Sequence, residues 1–256
     1  MSSDRRLFLR NALTAMGAGL LAGCDRLSQT EWAPNVLGKA ETLSHAVQRA
    51  LTRNALAREY AEADISPVFR ANGSTDPQTP DYLALAKNDF SDYRLKIGGL
   101  VAQPLSFSLE QLRALPSRTQ ITRHDCVEGW SVIGKWKGVQ LSRVLELAQP
   151  RESARYVVFR CFDRMQDGGE EGGTPYYESV GFDDAYHPQT LLAYELNDRS
   201  LPVANGAPLR ARIERQLGYK QAKYISAVEL VESLDDIGDG NGGYWEDQGY
   251  EWYAGI

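Results

Sequence analysis

The sequence predicts one folded domain in which β-strands alternate with short helices, and three observations favour this class. The 256 residues are 43% hydrophobic, which suffices to bury a sizeable core as one domain, alone or with an extension. Residues 93–101 alternate in polarity like a strand, and residues 156–162 form an apolar run typical of a buried strand. The two segments with clear helical signals, 108–115 and 139–148, are both short.

The first 23 residues have the form of an export signal. Residues 4–10, Asp-Arg-Arg-Leu-Phe-Leu-Arg, match a twin-arginine signal, and an apolar, Gly-rich run too short to span a membrane follows. The run ends in Leu-Ala-Gly-Cys, which resembles the lipobox of bacterial lipoproteins. This pattern predicts cleavage before Cys24, a lipid anchor on its sulfur and a periplasmic or other extracytoplasmic location. An ordinary signal peptide with a chance cysteine is the alternative.

Residues 24–64 predict a linker followed by an amphipathic helix. Leu43, Val47, Ala50, Leu51 and Asn54 recur at helical spacing, with charged and amide side chains on the other face. We interpret the helix as a strap laid on the domain or as a stalk from a lipid anchor. The main domain is expected from residue 65 to residue 256.

Local signals mark the elements of the main domain in order. An Asn-Gly pair at 72–73 predicts a turn, and a Gly pair ends the strand at 93–101. Ser108 and Gln111 form a capping box that opens a helix, and Pro116 stops it. A strand at 119–122 then leads to Cys126, where a loop can carry chemistry.

Two glycine-rich segments follow. Residues 166–174 are also acidic and predict a mobile loop, which with the Tyr-Tyr-Glu at 176–178 is a candidate rim for a substrate opening. Residues 238–243 satisfy G-x-G-x-x-G, but the dinucleotide fingerprint requires a strand before the glycines and a helix after them. We therefore interpret 238–243 as a flexible acidic loop.

Charge and cysteine content exclude several classes of function. The net charge is −6 without a run of Lys or Arg, which gives nucleic-acid binding little support. The three cysteines are Cys24, Cys126 and Cys161, and a disulfide between the last two would consume the cysteine of the motif described next. The three scattered histidines and the lack of C-x-x-C disfavour a structural zinc site.

Residues 123–131, Arg-His-Asp-Cys-Val-Glu-Gly-Trp-Ser, form the densest group of reactive side chains. Cationic neighbours such as Arg123 and His124 are expected to favour the thiolate of Cys126. The thiol allows three interpretations: a small buried apolar group, a nucleophile paired with a histidine base, or a ligand to a soft redox metal. The residues alone do not choose between these three.

The same stretch resembles the cysteine motif of the sulfite-oxidase family of molybdopterin enzymes. It is closer to the bacterial periplasmic branch, which includes the catalytic subunit of a methionine sulfoxide reductase system, than to true sulfite oxidases with their Cys-Ala-Gly-Asn sequence. The resemblance implies that Cys126 is the one protein ligand to molybdenum, with a single molybdopterin supplying the other sulfurs. His124, Arg123 and Glu128 become candidates for proton delivery or substrate contact.

A second tract, residues 191–224, resembles the part of the family that holds the pterin and its phosphate. Arg210 suits phosphate because its guanidinium can donate two parallel hydrogen bonds, and Lys220 and Lys223 would add charge. For Asn72, a place near the pterin and a plain turn are both open. The candidate cofactor-binding residues are Asn72, Cys126, Cys161, Asn205, Arg210, Tyr219, Lys220 and Lys223.

The resemblance covers residues 69–232 and implies the α+β sulfite-oxidase-type molybdopterin-binding fold, with mixed β-sheets, short helices and no C-terminal immunoglobulin-like domain. It implies two-electron redox or oxygen-atom transfer on a small-molecule S-oxide or oxyanion. Because the sequence has no C-x-x-C-H haem motif, electrons are expected to pass to a separate carrier such as a membrane haem protein or cytochrome. The rival hypotheses are a cysteine hydrolase that uses Cys126 with His124 or His187, and a binding lipoprotein without enzymatic activity.

Overall fold

The computed structural model describes residues 47, 55–165 and 173–256. The predicted signal, the lipid-attachment site at Cys24, the N-terminal helix apart from Val47, and residues 166–172 of the predicted loop lie outside this part. Asn54–Ile256 forms one compact unit. Within the described residues, no helix has the length and apolar character needed to cross a bilayer.

Strands dominate the described part of the chain. They are β1 (Arg94–Gly99), β2 (Leu105–Ser108), β3 (Ser117–Asp125), β4 (Ser131–Gln140), β5 (Tyr156–Met165), β6 (Thr174–Gly181), β7 (Leu191–Leu196), β8 (Arg199–Ser200), β9 (Arg210–Arg212) and β10 (Ile225–Val231). The α-helices are α1 (Pro80–Ala86), α2 (Leu109–Ala114), α3 (Leu141–Ala148), α4 (Phe182–Ala185) and α5 (Tyr244–Asp247). Short 3₁₀ turns lie at Glu62–Asp64, Val203–Asn205 and Gly218–Lys220.

The strands form two five-stranded sheets. One has the order β2-β1-β10-β5-β6, and the other has the order β3-β4-β7-β8 with β9 paired to β7. β1 and β10 run parallel, whereas the other pairings between these strands are antiparallel. Mixed sheets with a few short helices are the predicted α+β architecture, which is confirmed.

The local signals located most elements correctly. At the start of α2, the Ser108 hydroxyl accepts from the Gln111 N–H at 3.1 Å and the Gln111 amide oxygen accepts from the Ser108 N–H at 2.7 Å. The capping box is therefore confirmed, and the helix ends before Pro116 as expected. The strands predicted at 93–101, 119–122 and 156–162 appear as β1, β3 and β5.

The prediction of a helix from residue 139 was wrong at its beginning. Residues 131–140 form β4, so the helix α3 begins only at Leu141. Val139 and Gln140 pair with Leu192 and Leu191 of β7, more than 50 residues later in the sequence. A partner strand so distant leaves no signal in the local pattern, which explains the error.

Gly138 lies where the backbone of β7 leaves no room for a side chain on β4. A Cβ built on Gly138 would lie 2.2 Å from the Leu192 carbonyl oxygen and 2.7 Å from the Ala193 Cα, both backbone atoms. We expect Gly138→Ala to destabilise the protein by about 1–3 kcal/mol, because the strand must shift to admit the methyl group. The matched control is Gly98→Ala in β1, where a Cβ meets nothing within 4 Å. Urea midpoints measure both, and equal midpoints would refute this account of β4.

The N-terminal end of the described chain runs beside the second sheet. The Tyr60 N–H donates to the Ile121 carbonyl at 2.9 Å, and the Ser66 N–H donates to the Ile133 carbonyl at 3.1 Å. The stretch 55–64, the last part of the segment 24–64 that the sequence analysis assigns to a linker followed by an amphipathic helix, thus lies along β3. The domain boundary at residue 65 stays a prediction.

Candidate functional site

Cys126 lies in the tight turn that joins β3 to β4. Its N–H donates to the Trp130 carbonyl at 2.9 Å, and its carbonyl accepts from the Gly129 N–H at 3.0 Å. Gly129 has a φ of +86°, a conformation that costs glycine little and other residues more. The hairpin thereby holds Cys126 at the end of a rigid strand pair, only 8% exposed.

Cys126 opens onto a cavity that brings several predicted site residues together. Segments distant in the sequence supply its walls. The lining residues are Asn72, Gly73, Ser74, Cys126, Val127, Glu128, Asp163, Met165, Tyr176, Gly218, Tyr219, Gln221, Lys223, Trp245 and Tyr250. Of the predicted residues, Cys126, Glu128, Asn72, Tyr219 and Lys223 therefore share one cavity.

The expectation that Arg123 and His124 favour the Cys126 thiolate was wrong. Successive side chains on β3 point to opposite faces, and the exposed Arg123 instead binds Asp125 at 2.9 Å. Burial raises the pKa of the Cys126 thiol, and the Glu128 backbone N–H offsets part of this effect. The protein alone thus favours the neutral thiol, and a cation bound directly to sulfur is what would hold the thiolate.

His124 is fully buried and neutral. Its Nδ1 lies 3.0 Å from Nη1 of Arg212, and because a guanidinium only donates, Nδ1 accepts and the proton sits on Nε2. Burial, followed by the charges of Arg212 and Arg210, lowers the pKa of His124 well below its usual value. Among the described residues, Nε2 has no hydrogen-bond partner, and a Cβ on Gly218 would lie only 2.6 Å from it.

Arg210 and Asn205 form a buried cationic donor site. Arg210 is 0% exposed, donates from Nη1 to the Asn205 carbonyl at 2.9 Å, and lies 5.0 Å from the Trp136 ring. Its Nε and Nη2, together with Nδ2 of Asn205, find no acceptor within the part of the chain that the structure describes. Burial, followed by the charge of Arg212, lowers the pKa of Arg210 to about 9.

Buried donors without acceptors are costly, so a bound group that supplies acceptors stabilises the site. The phosphate of a molybdopterin offers oxygen acceptors and negative charge that match the guanidinium fork. The donor set thus fits this cofactor.

Lys223 ties the Asn72 turn to the cavity wall. Its ammonium donates to the carbonyls of Asn72 at 2.7 Å, Ser74 and Ala204 at 3.2 Å. Gly73 has a φ of +59°, and Oδ1 of Asn72 is buried without a partner in the described residues. The predicted turn is therefore present and lies beside the cavity, while a place of Asn72 near the pterin stays a prediction. Burial, followed by the charge of Arg210, lowers the pKa of Lys223 to about 7.

Six predicted residues do not line the cavity formed by the described residues: His124, Asn205 and Arg210, described above, and Lys220, Cys161 and Arg123. Lys220 binds two buried carboxylates, Glu178 at 2.5 Å and Glu246, and all three side chains are 0% exposed. Cys161 lies half-buried in β5 opposite Ile225, and burial raises the pKa of its thiol. Arg123 faces solvent as described above. The cofactor roles predicted for Lys220 and Cys161 stay predictions, and the charge of Lys220 already has partners.

Within the part of the chain that the structure describes, the two histidines, His124 and His187, offer Cys126 no base. Nδ1 of His187 accepts from the Gln189 N–H at 3.3 Å, so Nε2 donates to the Ala55 carbonyl at 3.1 Å. Nδ1 of His124, the basic nitrogen of that ring, is held by Arg212. This geometry disfavours the cysteine-hydrolase hypothesis, because nucleophilic attack needs a base within reach of the thiol.

Several cavity residues were missed by the sequence analysis. Asp163 lines the cavity, and burial raises the pKa of its carboxyl to about 7, partly offset by the charge of Lys223. A carboxylate inside an apolar strand was a signal that could have revealed it. Trp245 and Tyr250 were missed because they follow the tract that carries the resemblance, although the aromatic content of residues 244–253 was visible.

Residues 82–236, more than half of the chain, match a family model described as an oxidoreductase molybdopterin binding domain. The match contains both Cys126 and Arg210.

Two relatives illustrate the similarity. The chain is 36% identical over 252 residues to a putative protein-methionine-sulfoxide reductase subunit YedZ1 of Azospira oryzae, covering 98% of this chain and 87% of that protein. It is 38% identical over 151 residues to the protein-methionine-sulfoxide reductase catalytic subunit MsrP of Xanthomonas axonopodis pv. citri, covering 57% of this chain and 47% of MsrP. The chain thus spans about half the length of that MsrP.

Among solved structures, the sulfane dehydrogenase SoxCD from Paracoccus pantotrophus aligns with a TM-score of 0.48 at 20% identity. The alignment covers 56% of this chain and 39% of the SoxCD chain.

Proposed function

Because the chain belongs to the oxidoreductase molybdopterin-binding domain family, near its methionine sulfoxide reductase branch, we propose that it reduces small S-oxides. The chain is a molybdopterin-dependent oxidoreductase, and its cofactor is molybdenum with molybdopterin. The names of its relatives support the substrate class. The cavity beside Cys126 is the observation that carries the proposal, since it brings the thiol together with the Asn72 turn, Asp163 and Lys223. Arg210 and Asn205 do not line it, but their buried donors lack acceptors within the described residues, which supports a bound group there.

Different residues of the chain would bind different parts of the cofactor. Cys126 would bind molybdenum through its sulfur, a soft ligand that suits this metal. Arg210 and Asn205 would bind the pterin phosphate, while Lys223 holds the Asn72 turn beside the cavity. When bound, the cofactor supplies two-electron oxidation and reduction.

Reduction of an S-oxide to a sulfide consumes two electrons and two protons. The sulfur of the S-oxide gains two electrons, its bond to oxygen breaks, and the oxygen leaves as water after taking up two protons. The electrons come from a separate carrier, which we propose to be a membrane haem protein or a cytochrome. Asp163 lines the cavity with a carboxyl pKa of about 7, so it can hold and release a proton near neutral pH.

The test uses full-length protein purified from a host that makes molybdopterin. We expect one molybdenum and one pterin per chain, and reduction of dimethyl sulfoxide by a reduced viologen dye. Protein without molybdenum would overturn the metal assignment. Full molybdenum content with oxidation of sulfite but no reduction of S-oxides would overturn the proposed direction and substrate.

We also propose that the chain is exported by the twin-arginine route and anchored by a lipid on Cys24. Arg5→Lys combined with Arg6→Lys is expected to retain the protein in the cytoplasm, because that route requires the arginine pair. Cys24→Ala is expected to abolish incorporation of labelled palmitate.

Cell fractionation and palmitate labelling measure these outcomes. Arg26→Lys, a conservative change beyond the predicted cleavage site, is the control and should alter neither. Palmitate labelling that persists in Cys24→Ala would refute the lipid attachment at Cys24.

A further inference from the structure

The last 13 residues, 244–256, form a segment that we name the C-terminal arm. Two of its side chains, Trp245 and Tyr250, line the same cavity as Cys126. The arm lies beyond the residues that carry the resemblance to the family, so its side chains have no role assigned by that resemblance. Its aromatic content at the opening of the cavity therefore calls for a separate explanation.

The arm presents a continuous aromatic surface to the cavity. The rings of Trp245 and Tyr250 stack with centroids 5.2 Å apart and planes at 29°. Tyr219 packs edge-on against Tyr250 at 5.3 Å, and Tyr244 packs against Tyr176 at 5.8 Å. We call Tyr176, Tyr219, Trp245 and Tyr250, all of which line the cavity, the aromatic wall.

Polarity divides the cavity into two regions. Lys223 and Asp163, the charged residues of its interior, are 6% and 3% exposed. Tyr250 is 38% exposed and Val127, on the hairpin beside Cys126, is 47% exposed. Glu128, whose side chain is 61% exposed, also lines the cavity. The accessible part of the cavity is therefore formed by apolar and aromatic side chains together with one carboxylate, whereas Lys223 and Asp163 lie deeper.

Buried polar contacts hold the arm in place. Glu246, the neighbour of Trp245, is bound by the ammonium of Lys220, which also binds Glu178 of β6. Trp252 Nε1 donates to the Ser179 hydroxyl at 2.9 Å. Because these contacts form within a buried region, the aromatic wall is organised before any substrate enters.

Further contacts join the arm to the loop after β9. The Tyr219 hydroxyl donates to the Glu251 carbonyl at 2.7 Å, and the Ala254 N–H donates to the Gln216 amide oxygen at 2.9 Å. The arm is thus fixed to the same loop that contributes Gly218 and Tyr219 to the cavity.

We propose that Trp245 and Tyr250 determine substrate specificity by binding the apolar or aromatic substituent of an S-oxide while its S–O group points toward Cys126. This inference rests on the proposed function and names the part of the substrate that the enzyme recognises. Stacked rings bury apolar surface and favour a flat or aliphatic group against their faces. A bare oxyanion such as sulfite has no such group, so the wall discriminates against it.

The test compares two S-oxides in the molybdenum-loaded enzyme. Methyl p-tolyl sulfoxide carries an aromatic ring that can reach the wall, whereas dimethyl sulfoxide carries only methyl groups. For Trp245→Ala and Tyr250→Ala, we expect the KM for methyl p-tolyl sulfoxide to rise about tenfold or more, in the range typical of lost apolar pocket contacts. The KM for dimethyl sulfoxide should change less than about twofold, and kcat should stay the same for both.

The control is Tyr186→Ala, which removes an aromatic ring of similar exposure, 37%, that does not line the cavity formed by the described residues. It should leave both KM values unchanged. Molybdenum content of each variant separates a specificity effect from loss of cofactor, and Trp245→Phe should restore most of the affinity if Trp245→Ala misfolds. Equal KM changes for the two sulfoxides, or no change, would overturn the inference.

A binding measurement separates this inference from the proposed function. Equilibrium dialysis of methyl p-tolyl sulfoxide against the loaded wild-type enzyme should show binding that Trp245→Ala weakens about tenfold. Binding of this kind without turnover would refute S-oxide reduction but support the wall. Turnover together with unaltered binding in Trp245→Ala would support S-oxide reduction and refute the role of the aromatic wall.

Discussion

Cys126→Ser is expected to lower the rate of S-oxide reduction by at least about 100-fold, since loss of even an outer-shell partner of a metal ligand costs 10–100-fold. A serine hydroxyl is a hard and weakly acidic group, and it replaces the soft sulfur that we assign to molybdenum. The backbone bonds from Cys126 to Trp130 and from Gly129 to Cys126 do not involve the sulfur. The hairpin should therefore keep its shape, and the variant should remain folded.

Molybdenum content, pterin content and viologen-linked turnover measure this result. Cys161→Ser is the matched control, because it changes the other cysteine of the described residues, which lies in β5 and does not line the cavity. It should keep nearly all activity and molybdenum. Activity close to wild type in Cys126→Ser would remove the thiolate assignment, and a large loss in Cys161→Ser would mean that the wrong cysteine was chosen.

Arg210→Ala is expected to weaken cofactor retention by about one to two orders of magnitude. A hydrogen bond to a charged group contributes roughly 1.5–3 kcal/mol, and about 1.4 kcal/mol corresponds to a factor of ten. The side chain is fully buried with two nitrogens lacking acceptors in the described residues, so the phosphate would supply what the protein does not. Arg210→Lys should recover only part of the loss, because it restores the charge without the planar fork.

Pterin and molybdenum per chain after extensive dialysis give the measurement. Arg143→Ala removes an exposed arginine on α3 that pairs with Glu146 on the same helix, so it should leave occupancy unchanged. Urea midpoints of the apo-proteins distinguish loss of cofactor from loss of fold. Equal occupancy in Arg210→Ala and wild type would show that the donors around Arg210 do not hold the cofactor.

Short-range patterns in the sequence were sufficient for the family and for most elements. The motif at 123–131 and the tract at 191–224 predicted the molybdopterin enzyme, and the family match at 82–236 confirmed it. The capping box at Ser108 was readable because its two partners are three residues apart. Such features depend on neighbours in the chain, and a sequence displays its neighbours directly.

Contacts between residues that are distant in the sequence explain the features that the sequence analysis missed. Lys220 binds Glu178, 42 residues before it, and Glu246, 26 residues after it, contacts that the sequence does not display, while its cofactor role stays a prediction. The strand β4 was missed in the same way, because its partner strand β7 follows about 55 residues later.

Burial and strand direction determined which charged groups act on Cys126. Arg123 and Cys126 are neighbours in the sequence, but strand alternation turns Arg123 to solvent while burial raises the pKa of the Cys126 thiol. The class of enzyme was readable from the sequence alone, and the sequence also proposed Cys126 as the metal ligand. Only the tertiary structure decided which charges surround that thiol and which aromatic rings of the C-terminal arm enclose its cavity, because solvent exclusion and distant contacts arise only when the chain is folded.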